Sequence, residues 1–212
     1  MKKQKMKKQN LIALLLPIVL LRCPLIHSKQ KKDSDQSKPE RTLDELNISM
    51  VDAAKGGDID KVKELLKAGA KDVNGAMYGS AVEGHIEIFS LMIEEGANLF
   101  DVALEAAAYR GHKEIVKMML DLKLNYSKAM LEAAYGGHKE IVELLIVNGA
   151  KDLSYYNEAI EVCKKKVGDS TTKIDNETNE GVKKALQEKV MVYNEIVSLL
   201  EDEIKKRDQE GQ

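Results

Sequence analysis

Three of the four histidines of this 212-residue chain, His85, His112 and His138, sit at matched places, 27 and 26 residues apart, each directly after a glycine. A trio of imidazoles is the natural start of a zinc site or a proton relay. Each ring, however, belongs to a separate copy of one sequence phrase. Stacked helices lie about 8–10 Å apart, whereas zinc needs ligand nitrogens about 2.0–2.1 Å away. One histidine per copy cannot converge on an ion, so the rings are expected to tie adjacent turns together, with Asp58 standing in for the first of them. Cys23 and Cys163 form no CxxC pair, no glycine-rich phosphate loop follows a strand, and Glu and Lys alternate in the manner of solvated helix faces. The expectation is therefore no catalytic residue, no metal, no cofactor and no enzyme. Three glycosylation acceptor patterns begin at Asn47, Asn125 and Asn176, and the first two read as helix caps instead.

What positions the histidines is an internal repeat. Lys55-Gly56-Gly57-Asp58-Ile59, Glu83-Gly84-His85-Ile86-Glu87, Arg110-Gly111-His112-Lys113-Glu114 and Gly136-Gly137-His138-Lys139-Glu140 are variants of one phrase, and Gly57, Gly84, Gly111 and Gly137 recur at 27, 27 and 26 residues. Each glycine separates two helices. Asn47, Asn74, Asp101, Ser127 and Ser154 keep the same period and are read as N-caps of the first helix of each unit, with Leu46, Val73, Phe100, Tyr126 and Leu153 as the apolar residues of a hydrophobic staple. Small pairs such as Ala107-Ala108 and Ala133-Ala134 let neighbouring helices approach. The second helices, for example Val142-x-Leu144-Leu145-Ile146, carry one apolar face at helical period. Gly69, Gly96 and Gly149 end them, but the third unit has Lys123 there, which predicts a strained or reshaped exit.

These units resemble ankyrin repeats, most closely over Met130 to Ala150. Each is about six residues shorter than the family's 33-residue period, and the missing stretch is the one that builds the β-hairpin finger. The resemblance implies an all-α, ankyrin-like helix-turn-helix solenoid without prominent β-hairpins, spanning four repeats over residues 42–153. It also implies that the residues just before each turn glycine face the binding groove. In this chain they include Lys55, Glu83, Tyr109, Arg110 and Tyr135. Tyr and Arg are enriched at binding hot spots, and repeat spacing places the two tyrosines about 8–10 Å apart.

Both ends depart from the repeat. Residues 1–28 carry five lysines and Arg22 with no acid, around an apolar run from Leu11 to Leu21. Eleven residues suit a signal peptide better than a membrane span of roughly 20, so residues 1–28 are expected to export or anchor the chain. Cys23 is placed as in a bacterial lipoprotein, although Arg22 stands where that arrangement has a small residue. Residues 29–41 read as a flexible linker. Residues 154–208 read as a degenerate fifth repeat and cap, a longer C-terminal helix preceded by an exposed loop over 167–181. Within the cap, Leu186, Val190, Tyr193, Val197, Leu200 and Ile204 form a seam, and residues 182–204 could pair with another helix in self-association.

Beyond the leader the chain holds 27 basic against 35 acidic residues, with no basic stripe to meet phosphates. Nucleic acid is thus excluded as a partner, and the membrane is reached only through the N-terminus. The reading is a protein–protein interaction scaffold, secreted, periplasmic or membrane-anchored, or cytoplasmic if the leader does not function. A secreted effector or toxin-neutralising immunity protein is the alternative.

Overall fold

The computed structural model describes residues 41–210. The leader at 1–28, Cys23 and all but the last residue of the linker lie outside the described residues. Ten helices follow in order: α1 (Leu43–Gly56), α2 (Ile59–Lys67), α3 (Val73–Glu83), α4 (Ile86–Glu94), α5 (Phe100–Arg110), α6 (Lys113–Met118), α7 (Tyr126–Gly136), α8 (Lys139–Val147), α9 (Leu153–Asn176) and α10 (Glu180–Glu210), with a 3₁₀ turn at Leu120–Leu122. No strand occurs among the described residues. The odd-numbered helices pack in sequence, α1 on α3, α3 on α5, α5 on α7, α7 on α9, each also holding its even-numbered partner.

The turn between the helices of a pair follows from the glycine. Gly111 and its equivalents take left-handed backbone angles (φ 86° at Gly111), and the next residue's N–H then donates to the carbonyl five positions back, as in His112 to Ala107 at 2.9 Å and His138 to Ala133 at 2.9 Å. Apolar residues at the expected period fill the space between pairs, among them Met50, Met77, Leu104 and Met130, all fully buried, beside Ala54, Ala81, Ala108 and Ala134. Alanine there allows neighbouring first helices to approach closely.

The polar residues read as caps have another role. The actual N-caps of α1, α3, α7 and α9 are Thr42, Asp72, Asn125 and Asp152, and Thr42 closes a reciprocal capping box with Glu45. Asn47, Asn74, Asp101 and Ser127 lie inside the first helices and reach across to the next unit. Asn47 Oδ1 accepts from the backbone N–H groups of Lys71 (2.7 Å) and Asp72 (3.1 Å), and Asn74 Oδ1 from those of Asn98 (2.8 Å) and Leu99 (3.2 Å). Asp101 accepts from Asn125 (3.2 Å), and Ser127 Oγ from Lys151 (2.9 Å) and Asp152 (3.0 Å). The shortened loop between units leaves amides facing the stack, and an unpartnered amide near the interior is costly. One side chain per unit satisfies them. Val73, Phe100, Tyr126 and Leu153 accordingly open their helices rather than precede caps, while Leu46 lies within α1.

Lys123 does adopt φ 54°, and its unit is reshaped: α6 has only six residues and continues as the 3₁₀ turn. Residues 167–181 are not a loop. Helix α9 continues to Asn176 and α10 starts at Glu180, leaving three residues between them. The Ser, Thr, Asn and Asp residues that suggested a loop occupy the outside of a helix. Thr171, Thr172 and Asn176 donate to the carbonyls of Val167, Gly168 and Thr172, four residues back, so their polar groups join the helix instead of competing with it. The fifth pair is thus lengthened, not interrupted. Its seam is also occupied, since Tyr193, Ile196 and Leu200 are buried and Val197 and Ile204 pack on the core, with α10 lying chiefly along α9. Self-association through 182–204 would have to displace that contact.

Candidate functional site

The next-to-last residues of α1, α3, α5 and α7 are Lys55, Val82, Tyr109 and Tyr135, each two residues before a turn glycine. Their backbones face the next unit. His85 Nε2 lies 2.9 Å from the Lys55 carbonyl, His112 Nε2 2.9 Å from that of Val82, and His138 Nε2 3.0 Å from that of Tyr109. Donating through Nε2 to these carbonyls, the rings bind successive units together. A Cβ built on Gly111 would collide with the His138 ring, and those on Gly84 and Gly57 with His112 and His85, so each ring also packs against the turn glycine of the preceding unit. The three histidines therefore bond to three different carbonyls and do not meet. Among the described residues no group of three or more His, Cys, Asp and Glu could hold a metal ion.

The ladder is edited at both ends. Asp58, with no preceding helix pair among the described residues, caps its own helix by accepting from Lys61 N–H at 2.9 Å. At the other end the histidine position of the fifth unit is taken by Tyr193 of α10. Its hydroxyl donates to the Tyr135 carbonyl (3.4 Å) and its ring covers Gly137 at 3.4 Å from a built Cβ, the two contacts a histidine makes elsewhere. No sequence period leads to this residue, because the lengthened helices place it far out of register. Arg207 closes the opposite end of the cap by donating to the carbonyls of Ala150 (2.9 Å) and Lys151 (3.2 Å), with its guanidinium 4.7 Å over the Tyr156 ring. Burial pushes the Tyr156 phenol up to about 12 and the Cys163 thiol up to about 11, so both stay protonated, and Cys163 is not a nucleophile at neutral pH.

With their carbonyls directed into the stack, these residues present their side chains outward as an edge row. Tyr109 and Tyr135 are each 42% exposed, with ring centroids 5.9 Å apart and a tilt of 41°, closer than repeat spacing predicted. Lys166 of α9 lies 4.4 Å over the Tyr135 ring. Arg110 donates to the Val82 carbonyl (3.3 Å) and pairs with Glu83 (3.2 Å), while Lys55 is exposed at the start of the row. Beside the row, Gly136, Gly137, Ala185, Glu188, Lys189, Val192 and Tyr193 line a cavity of about 380 Å³ between α7 and α10. Of the sequence-derived candidates, Glu83, Arg110, Tyr109 and Tyr135 are therefore brought together, and Lys55 stands at the far end. Lys166 was missed because it lies in the degenerate fifth unit, past the point where the repeated phrase can be followed.

Residues 50–128, from within α1 to within α7, match the family model for ankyrin repeats in three copies. The unit from Met130 to Ala150 follows the matched range and keeps its geometry, His138 included. No curated protein is significantly similar to the chain.

Proposed function

Because this chain carries ankyrin repeats over residues 50–128, and such repeats are protein–protein interaction scaffolds, we propose that it holds a partner protein against the edge row that includes Tyr109, Arg110 and Tyr135. The observation that carries this reading is the tyrosine pair. Two aromatic rings in contact, each two-fifths exposed, contribute little to the core, yet offer rigid amphipathic area of the kind that dominates binding hot spots. The Arg110–Glu83 pair is exposed, so it adds little stability and serves to fix orientation. Changing Tyr109 and Tyr135 together to Ala should weaken partner binding by at least about 2 kcal/mol, which is roughly thirtyfold. The test compares parent and double variant as baits at equal concentration and measures both melting temperatures. A double variant that binds as well as the parent, or that melts much lower, moves the interface elsewhere.

Residues 1–28 are proposed to export the scaffold or tether it to a membrane, supported by five lysines ahead of an eleven-residue apolar run. Fractionation of cells expressing full-length and leaderless chains tests this. Equal recovery of both forms in the soluble cytoplasmic fraction overturns it.

A further inference from the structure

One side of each first helix is made of residues spaced three and four apart, Ile48, Val51, Asp52 and Lys55 in α1 and their equivalents onward, of which Leu131 and Ala159 are buried. Its character changes along the stack. Over α5, α7 and α9 it carries Glu105, Glu132 and Glu158, with Lys128 engaging Glu105 at 2.9 Å and Lys166 occupied over the Tyr135 ring at the end of the row. Val102, 49% exposed, lies beside them, and the row ends at Tyr109 and Tyr135. Residues 42–163 as a whole hold 12 basic and 21 acidic side chains.

Resting on the reading of the stack as a protein-binding scaffold, we propose that the inner face over α5, α7 and α9 docks a lysine- or arginine-bearing segment of the partner, its apolar side chains falling on Val102 and the tyrosine pair. Charge complementarity selects this occupant, because an acidic segment would add like charge to three carboxylates while a basic one supplies counter-ions to Glu132 and Glu158, which Lys128 leaves unpaired by engaging Glu105. Glu132 makes no hydrogen bond or ion pair, and burial, then Glu105, hold its carboxyl above the usual range, outweighing Lys128, with Glu158 adding to the rise. A carboxylate kept ionised there destabilises the free stack. Such a residue suits binding rather than folding.

The test uses the full chain and two labelled amphipathic helical peptides of about 18 residues, one of Leu and Lys and one of Leu and Glu, followed by fluorescence anisotropy at roughly 50 and 500 mM salt. The Lys peptide should bind and the Glu peptide should not, with affinity falling as salt rises. Glu132→Gln with Glu158→Gln should weaken the Lys peptide about tenfold without lowering the melting temperature. Glu87→Gln with Glu94→Gln and Glu95→Gln, on the outer helix α4 and its C-cap, should leave it unchanged. Equal loss in the outer variant, or no preference for the Lys peptide, overturns the proposal. A native partner that depends on Tyr109 and Tyr135 but not on Glu132 and Glu158 leaves the scaffold standing and removes only this inference.

Discussion

Gly111 and Gly137 hold the same backbone angles at the same step of the repeat, yet they carry different burdens. At either position a side chain must enter the left-handed region, at about 1–2 kcal/mol. At Gly111 it would also displace His138 from the Tyr109 carbonyl, forfeiting a hydrogen bond of about 1 kcal/mol. Gly111→Ala should therefore destabilise by about 2–3 kcal/mol and Gly137→Ala, which meets Tyr193 only at contact distance, by about 1–2 kcal/mol, read from denaturant melts. Lys123 presents the opposite case, a side chain already in the left-handed region at φ 54°. Lys123→Gly should stabilise by about 0.5–1 kcal/mol, the relief of strain less the entropy of glycine. His138 links the ladder to pH. Burial lowers its pKa below the ordinary 6.5, against the raising effect of its bond to Tyr109. The folded state thus resists the proton that the unfolded chain accepts, and stability falls as pH drops from about 6.5 through the lower folded value. His138→Asn should flatten that part of the melting-temperature profile; an unaltered profile would mean that the loss arises at other groups.

At the scale of elements, the first helices are joined by two lateral systems, one at each end. The Asn47, Asn74, Asp101 and Ser127 acceptors hold the loops before the next unit, and the histidines hold the turns. Helix α10 terminates the second system with Tyr193. Tyr193→Phe loses only a long hydroxyl bond and should change stability by less than about 1 kcal/mol. Tyr193→Ala removes a buried ring over Gly137 and should cost about 3 kcal/mol or more in an equilibrium melt. If the two variants melt alike, the ring is not the plug that the geometry describes.

For the described molecule as a whole, the distal parts of α9 and α10 extend past the turn glycines as an arm. Each adds about 13 residues beyond Cys163 and Tyr193, roughly 20 Å at 1.5 Å per residue. Between residues 169 and 187 no side chain is fully buried. Replacing that stretch with a short turn should leave the melting temperature within a few degrees, because the cap contacts of Tyr156, Tyr193 and Arg207 all lie outside it. A large loss would show that the arm supports the stack.

Much of this was written locally in the chain. The glycine period, the alanine pairs and the amphipathic second helices determine the helix pairs because each is a short-range signal of backbone angle or face. The period located the residues before each turn glycine, and the resemblance to ankyrin repeats implied that they face outward together. Tertiary structure decided what depends on a neighbour. Asn47 and Ser127 have the composition of caps, and only the adjacent loop shows that their oxygens serve another unit. Residues 167–181 have the composition of a loop, and packing against α10 makes most of them helical. Tyr193 lies 56 residues beyond Gly137, where no period leads, and its place over that glycine is set by the length of two helices folding back on the stack.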